Sequence, residues 1–267
     1  MEVHHHHSKE HPKNWKEHFK EFFMLFLAVT LGFLAENLRE IYVENERSHE
    51  YVASFMREVE KNSHFIDSLI DRDRYLLVLH DSAALYVMEA KEELDLFEFF
   101  DIVPTYTIRY VSNNDVYEQM RSAGALRYIK DTALLHMIIE YSNQSEATEL
   151  RSTSQEMDFY YNGFVPVMNK WTLPGIAAYR HNDLIDRLTV KDQIMGDNTS
   201  IFDNLSNIVN IDADYNIRSK RLELFKTEVV PVLFRRSNNI VSSMSFMLKT
   251  KKQAEELLQY YHDHGNH

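Results

Sequence analysis

Phe22 to Ala35 reads FFMLFLAVTLGFLA, fourteen residues without a charge, of which only Thr30 and Gly32 are not strongly apolar. Lys20 and Glu21 precede the run, Glu36 and Arg39 follow it, and no other uncharged apolar run here approaches its length. Such a segment belongs in a protein core or in a bilayer. As a helix it covers about 21 Å, short of a hydrocarbon core of about 30 Å. Three features favour the bilayer. The helix can extend from Trp15 to Leu38 with Lys16 and Lys20 snorkelling outward, which reaches spanning length. Trp15, Phe19 and Tyr42 stand where interfacial aromatics stand. The run is apolar on every side, whereas a surface helix of a soluble bundle keeps a polar face. A cleaved signal peptide fits poorly, because Phe33 would occupy the small-residue position before a cut after Ala35.

Flanking charge orients the span. Residues 1–20 hold four lysines (Lys9, Lys13, Lys16, Lys20) against three glutamates, and residues 36–50 hold five glutamates against two arginines. Excess Lys and Arg mark the cytoplasmic side. The expectation is a short His-rich cytoplasmic tail over 1–18, a transmembrane helix over 19–38 in the inner membrane, and an external domain over 39–267, periplasmic in a Gram-negative cell.

The leader MEVHHHH and the block KNWKEHFKEFFMLFLAVTLGFLAENLRE resemble the start of a family of single-span Bacteroidetes membrane proteins of unassigned activity. That family opens with a His-rich leader and an EF-x-M-x-FLAVT-x-GF-x-AEN-x-RE anchor segment. Within residues 115–141, VYEQMRSAGALRYIKDTALLHMIIEY is similar to a module, YEQLKSSGNLRLI, of related membrane-anchored families. The resemblance implies an inner-membrane anchor with an external helical domain, and implies that His4–His7 are native. It supplies no enzymatic activity and no cofactor.

Composition agrees with an all-α external domain. The chain has no cysteine, which excludes a disulfide scaffold, a thiolate metal site and a Cys nucleophile. Six glycines and five prolines in 267 residues leave little turn chemistry for sheets. A net charge of −12 argues against nucleic-acid partners, which demand a basic surface.

Apolar residues recur at helical spacing from Leu38 through Ile41, Val52, Phe55, Val59, Ile66, Leu69, Leu76 and Val87, with no Pro or Gly between Glu36 and Ala90. The anchor is expected to run directly into a stalk helix. Residues 93–113 read as a connection. Asn113 or Asn114 caps a short helix that stops near Gly124, and Asp131 caps a long helix that ends before Pro174. Residues 173–199 are mixed, with a turn at Gly196-Asp197-Asn198. Asp212 starts the last helix, which Pro231 kinks or divides and which ends near Tyr261. The architecture expected is an all-α extended bundle following one transmembrane helix.

Chemical sites are sparse. Asp212, Asp214, Asn216 and Glu223 reproduce four positions of an EF-hand loop, but Ile217 stands where glycine is needed and Lys220 at a ligand position, so helix capping is the expected role. His4–His7, His11 and His18 form one imidazole group, and His262, His264 and His267 another; the proposed topology puts them on opposite sides of the membrane. Glu46 and His49 form a lone Glu-x-x-His motif, and His136 and Glu140 share a helix face. Tyr160, Tyr161, Tyr260, Tyr261 and the Met and Phe residues around 244–247 read as core or helix-contact residues. No catalytic, cofactor-binding or metal-binding residues are assigned, and no cofactor is expected. Ala28, Gly32 and Ala35 fall on one face of the anchor and are the candidates for helix packing in the membrane. The expectation is a non-enzymatic interaction scaffold or accessory subunit of an envelope complex. Its partners are the bilayer, other membrane or envelope proteins, and a second copy of itself. The alternative is an external sensor of a ligand or stress that signals through a partner.

Overall fold

A computed structural model describes residues 15–173, 176 and 214–264. Helix α1 runs unbroken from Trp15 to Glu89, a length of about 110 Å at 1.5 Å per residue. The absence of Pro and Gly from Glu36 to Glu89 lets the backbone ladder continue without a break. Its two parts live in different surroundings. From Trp15 to Arg47 no residue is buried, and Phe22, Leu25, Val29, Leu31 and Phe33 are each more than 60% exposed. Burial starts at Ser48 and then follows the helical period through Val52, Phe55, Val59, Ile66, Leu69, Leu76, Ala83 and Val87. The apolar N-terminal part is long and apolar enough to cross a membrane, and none of that stretch is packed inside the protein.

The remaining elements build an all-α bundle around the outer part of α1. β1 (Glu93–Asp95) and α2 (Leu96–Ile102) follow it. Then come α3 (Asp115–Ser122), a 3₁₀ turn at Ala125–Tyr128 and α4 (Thr132–Arg151). Helix α4 widens into π-helical turns at Ser152–Met157 and Tyr160–Phe164 and leads to α5 (Val165–Trp171). β2 (Asn216–Arg218) leads into α6 (Ser219–His264). Helix α6 lies antiparallel along α1. Lys251 pairs with Asp67, Ser237 Oγ donates to Asp81 Oδ1 at 3.3 Å, and Lys226 Nζ donates to the Ala90 carbonyl. These contacts set which residues share a height in the two helices.

The two ends close differently. At the end far from the apolar segment, β1 and β2 pair antiparallel with Leu94 opposite Ile217, and Asp95 caps α2 by accepting from Phe97 N at 2.7 Å. Phe99, Trp171 and Phe225 meet edge-on there, with the Phe99 and Trp171 ring centroids each 5.0 Å from that of Phe225. Such pairs add about 0.5–1.5 kcal/mol each beyond area burial. At the near end Ser48 Oγ donates to the Ala125 carbonyl, Gly124 turns the chain at φ 68°, and Asp131 caps α4 through Ala133 N and Leu134 N. Phe55, Met120, Ile138, Tyr141, Ala254 and Leu257 form the core above it.

Four sequence expectations change. Residues 93–113 hold a strand and a helix, because Leu94, Leu96, Phe99, Phe100 and Val103 are all buried in the distal core and draw that segment onto it. The last helix begins at Ser219, since Asn216–Arg218 pairs with β1; Asp212 lies outside the described residues. Pro231 sits inside a continuous α6, where fully buried Val229 and Leu233 on either side hold the helix through packing. The helix also ends three residues later than expected, at His264. The turn at Gly196 and most of residues 173–199 fall outside the described residues.

Candidate functional site

The middle of the bundle holds a buried charged centre. Arg236 of α6 is fully buried, and its Nη1 lies 2.5 Å from Oε1 of Glu156. Glu156 belongs to the first π-helical turn, and Thr107 Oγ1 donates to the same oxygen at 3.2 Å. Asp73 of α1 is also buried and accepts from Arg72 Nε at 3.0 Å. The Arg236 guanidinium stacks over Tyr160 at 4.8 Å and Phe164 at 5.6 Å, both from the second π-helical turn. The ring faces offset part of the cost of N–H groups that make no aligned hydrogen bond. Burial raises the carboxyls of Asp73 and Glu156 and lowers the guanidinium of Arg236, while the opposite charges pull each back toward ionisation. His80 completes the centre. Its ring meets Phe164 edge-on at 5.6 Å, neither ring nitrogen has a hydrogen-bond partner, and burial, then the nearby Arg236 charge, pushes it down to about 3. The two arginines balance the two acids. π-Helical turns frequently mark functional sites; here they bring Glu156, Tyr160 and Phe164 around one guanidinium, an arrangement suited to fixing helix register.

A cleft of about 640 Å³ lies at the near end of the bundle, lined by His49, Lys130, Asp131, Tyr260, Tyr261 and His264 among others. Tyr260 OH donates to Asp131 Oδ2 at 2.9 Å, and His264 stacks on the Tyr260 ring at 4.3 Å. Capping bonds from the Leu134 amide, then Tyr260 and the Ala133 amide, hold the Asp131 carboxyl below its usual range. The cleft therefore combines an ionised acid, an ammonium, imidazoles and aromatic rings at the foot of the domain.

A third feature is an apolar face across α1 and α6. Val78 and Leu85 stand at i−3 and i+4 from Asp81, and Phe234 and Val241 stand at i−3 and i+4 from Ser237, so all four flank the Asp81–Ser237 contact. They are 63%, 56%, 48% and 53% exposed, and Leu248 continues the α6 row at 47%. Exposed apolar side chains gathered on one face in this way are candidates for an interaction surface.

The sequence-derived candidates scatter over the molecule. Ala28, Gly32 and Ala35 share one face of the exposed part of α1, and a Cβ built on Gly32 meets no atom within 4 Å. His49 reaches the cleft, and Glu46 is exposed outside it. His136 and Glu140 are exposed on α4. Asp214 accepts from the Asn216 backbone and side-chain amides and pairs with Arg218, while Glu223 lies exposed on α6. Asp214 thus closes a local turn ahead of β2 rather than capping α6, which starts at Ser219. His18 lies on α1 just before the apolar run, His262 and His264 at the end of α6, and His4–His7, His11 and His267 outside the described residues. Of the tyrosine pairs, Tyr160 is buried and Tyr161 exposed, whereas Tyr260 and Tyr261 are half-buried at the cleft. Among the described residues no three His, Asp or Glu side chains gather as a metal site. The chain matches no protein-family model, no curated protein and no solved structure.

Proposed function

We propose that the chain is a membrane-anchored helical scaffold, an accessory subunit of an envelope complex, whose external domain works by binding other proteins. One observation carries this reading. An apolar segment with no buried residue and a packed bundle share a single unbroken helix, so a bilayer that takes up Phe22–Ala35 holds the bundle at a fixed distance and orientation. Span length from Trp15 to Tyr42 is about 40 Å, matching a bilayer with its headgroups. Positive residues before the span support a cytoplasmic N-terminus and a periplasmic bundle. The resemblance of the leader and anchor to single-span Bacteroidetes proteins points the same way. The domain acts without catalysis in this reading, through its apolar faces.

Two experiments test it. Carbonate-washed membranes should retain the full chain, and its release into the soluble fraction would remove the anchor. Reporter fusions at both ends should show an internal N-terminus and an external C-terminus; an active cytosolic reporter after His267 would overturn the topology. The cleft of about 640 Å³ favours a second reading, an external sensor that binds a small polar ligand and signals through a partner. Purification from gently solubilised native membranes separates the two: a stoichiometric protein favours the scaffold, a retained small molecule the sensor.

A further inference from the structure

The α1–α6 face is matched to itself, and this selects its partner. The Asp67–Lys251 and Asp81–Ser237 contacts put Val78 level with Val241 and Leu85 level with Phe234 on the two antiparallel helices. Charge follows the same rule. Three helical turns from Val78 toward the anchor lies Asp67, and three turns from Val241 toward the C-terminus lies Lys252, again at the same height; within one copy Asp67 pairs with Lys251 and Lys252 with Glu256, and both side chains stay partly exposed. The row on α1 therefore reads Asp67, Asp71, Val78, Leu85, and the row on α6 reads Lys252, Leu248, Val241, Phe234, height for height, with apolar side chains level with each other at the two distal positions.

Two copies anchored by the same N-terminal span share one orientation, which leaves a twofold axis along the membrane normal. Rotation about that axis preserves every height and sets α1 of one copy against α6 of the other. Val78 then meets Val241, Leu85 meets Phe234, and Asp67 meets Lys252, each pair occurring twice, as a closed isologous contact requires. We infer that this face is the dimer interface of the protein, joining the α1–α6 pairs of two copies into a four-helix bundle. The stretch from Asp67 to Met88 is about 32 Å long and two helices, about 20 Å, wide. That is about 640 Å² per copy, close to the roughly 800 Å² per partner of a standard stable interface. Val78, Leu85, Phe234 and Val241 supply its centre, and Leu248 beside Asp71 and the Asp67–Lys252 pairs lie toward its rim. The direction of the axis rests on the membrane-anchored reading above.

The chain has no native cysteine, so introduced ones report without background. Two differently tagged full-length copies, one carrying Val78→Cys and the other Val241→Cys, are co-expressed and oxidised in intact membranes. A disulfide needs Cβ atoms about 3.5–4.5 Å apart, and the shared height of Val78 and Val241 allows that approach only when α1 of one copy lies against α6 of the other. The expected result is a cross-linked heterodimer, and none when Glu140→Cys on α4 replaces Val78→Cys. Absence of the Val78–Val241 product with both copies in the membrane fraction overturns the dimer and leaves the anchor standing; recovery of both copies in the soluble fraction overturns the anchored reading instead. Made in a Gly32→Ile background, which removes any close contact between spans, Val78→Glu with Val241→Glu, both at exposed positions, should halve the detergent-corrected mass with helical circular dichroism unchanged. An unchanged mass overturns the proposal, and so does a wild-type chain whose face retains a different polypeptide in place of a second copy. Lys252→Asp should reduce cross-linking several-fold, and undiminished cross-linking counts against the charge match.

Discussion

Arg236 and Glu156 pair across the bundle from helices far apart in sequence, with Nη1 2.5 Å from Oε1 and side chains 0% and 8% exposed. Each ion depends on the other for compensation. Removing one partner strands a buried charge, which costs about 3–5 kcal/mol, whereas replacing both with apolar residues of similar volume is often neutral. Glu156→Leu or Arg236→Met alone should lower stability by about that amount, while the double variant should recover much of the loss. Denaturation of the detergent-solubilised chain followed by circular dichroism measures this. Single variants within about 1 kcal/mol of the parent would show that the pair contributes no register.

His80 ties stability to acid. Its folded value is depressed to about 3 from an ordinary 6.5, so the unfolded chain binds the proton first. Its contribution is present above pH 6.5 and is lost as pH falls toward about 3. His80→Leu keeps the contact with Phe164 apolar and removes both unpartnered ring nitrogens. The variant should therefore lose less stability than the parent between about pH 6.5 and about pH 4. Identical slopes for the two proteins would rule out His80 as the titrating group.

Glu58 titrates in the opposite sense. It is buried in α1 near the foot of the bundle, and burial raises its carboxyl to about 7 although the Val116 amide donates to Oε2 at 3.2 Å. Nearby Asp115 adds to the rise, and Lys61 opposes it. A raised acid stabilises the fold in its protonated form, fully below the unfolded value of 4.5, and that stability is lost as pH climbs through about 7. Glu58→Gln keeps an acceptor for Val116 and cannot ionise. Its melting temperature should exceed that of the parent more at about pH 8 than at about pH 5, and a constant difference would contradict the shift.

Much of this architecture is legible in the chain, and the reasons it stops being so are physical. The uncharged run at Phe22–Ala35 and the unbroken stripe to Val87 announce α1, and Asn114, Gly124 and Asp131 mark helix ends that the fold uses. Helical period could not reveal the buried charges. Arg236, Glu156 and Asp73 look like solvated positions until partners from remote segments are brought beside them. The π-helical turns are silent for a similar reason, since widening a helix by a residue leaves local propensity unchanged. The α6 row Phe234, Val241 and Leu248 is visible as a seven-residue spacing, but the same spacing describes a core stripe, and only exposure tells the two apart. For residues 93–95 and 216–218 the pairing is non-local, so a three-residue ladder leaves no pattern of its own.

The apolar segment of α1 provides the last prediction. Ala28, Gly32 and Ala35 lie within one narrow sector of α1, and Gly32 has open space where a Cβ would stand. Small residues at this spacing let helices approach closely in lipid, where packing rather than hydrophobic drive supplies the attraction. Gly32→Ile would place a branched side chain at the point of closest approach and forfeit those contacts. The same change makes the segment more apolar, so insertion should be unimpaired. Leu31→Ile, one position away, is the control, since it alters shape without filling the groove. The expected outcome is weaker cross-linking of Gly32→Ile in membranes, at normal membrane recovery, with Leu31→Ile matching the parent. Equal cross-linking of all three would make this face a lipid-exposed one and the segment a passive tether, leaving self-association to the α1–α6 face alone.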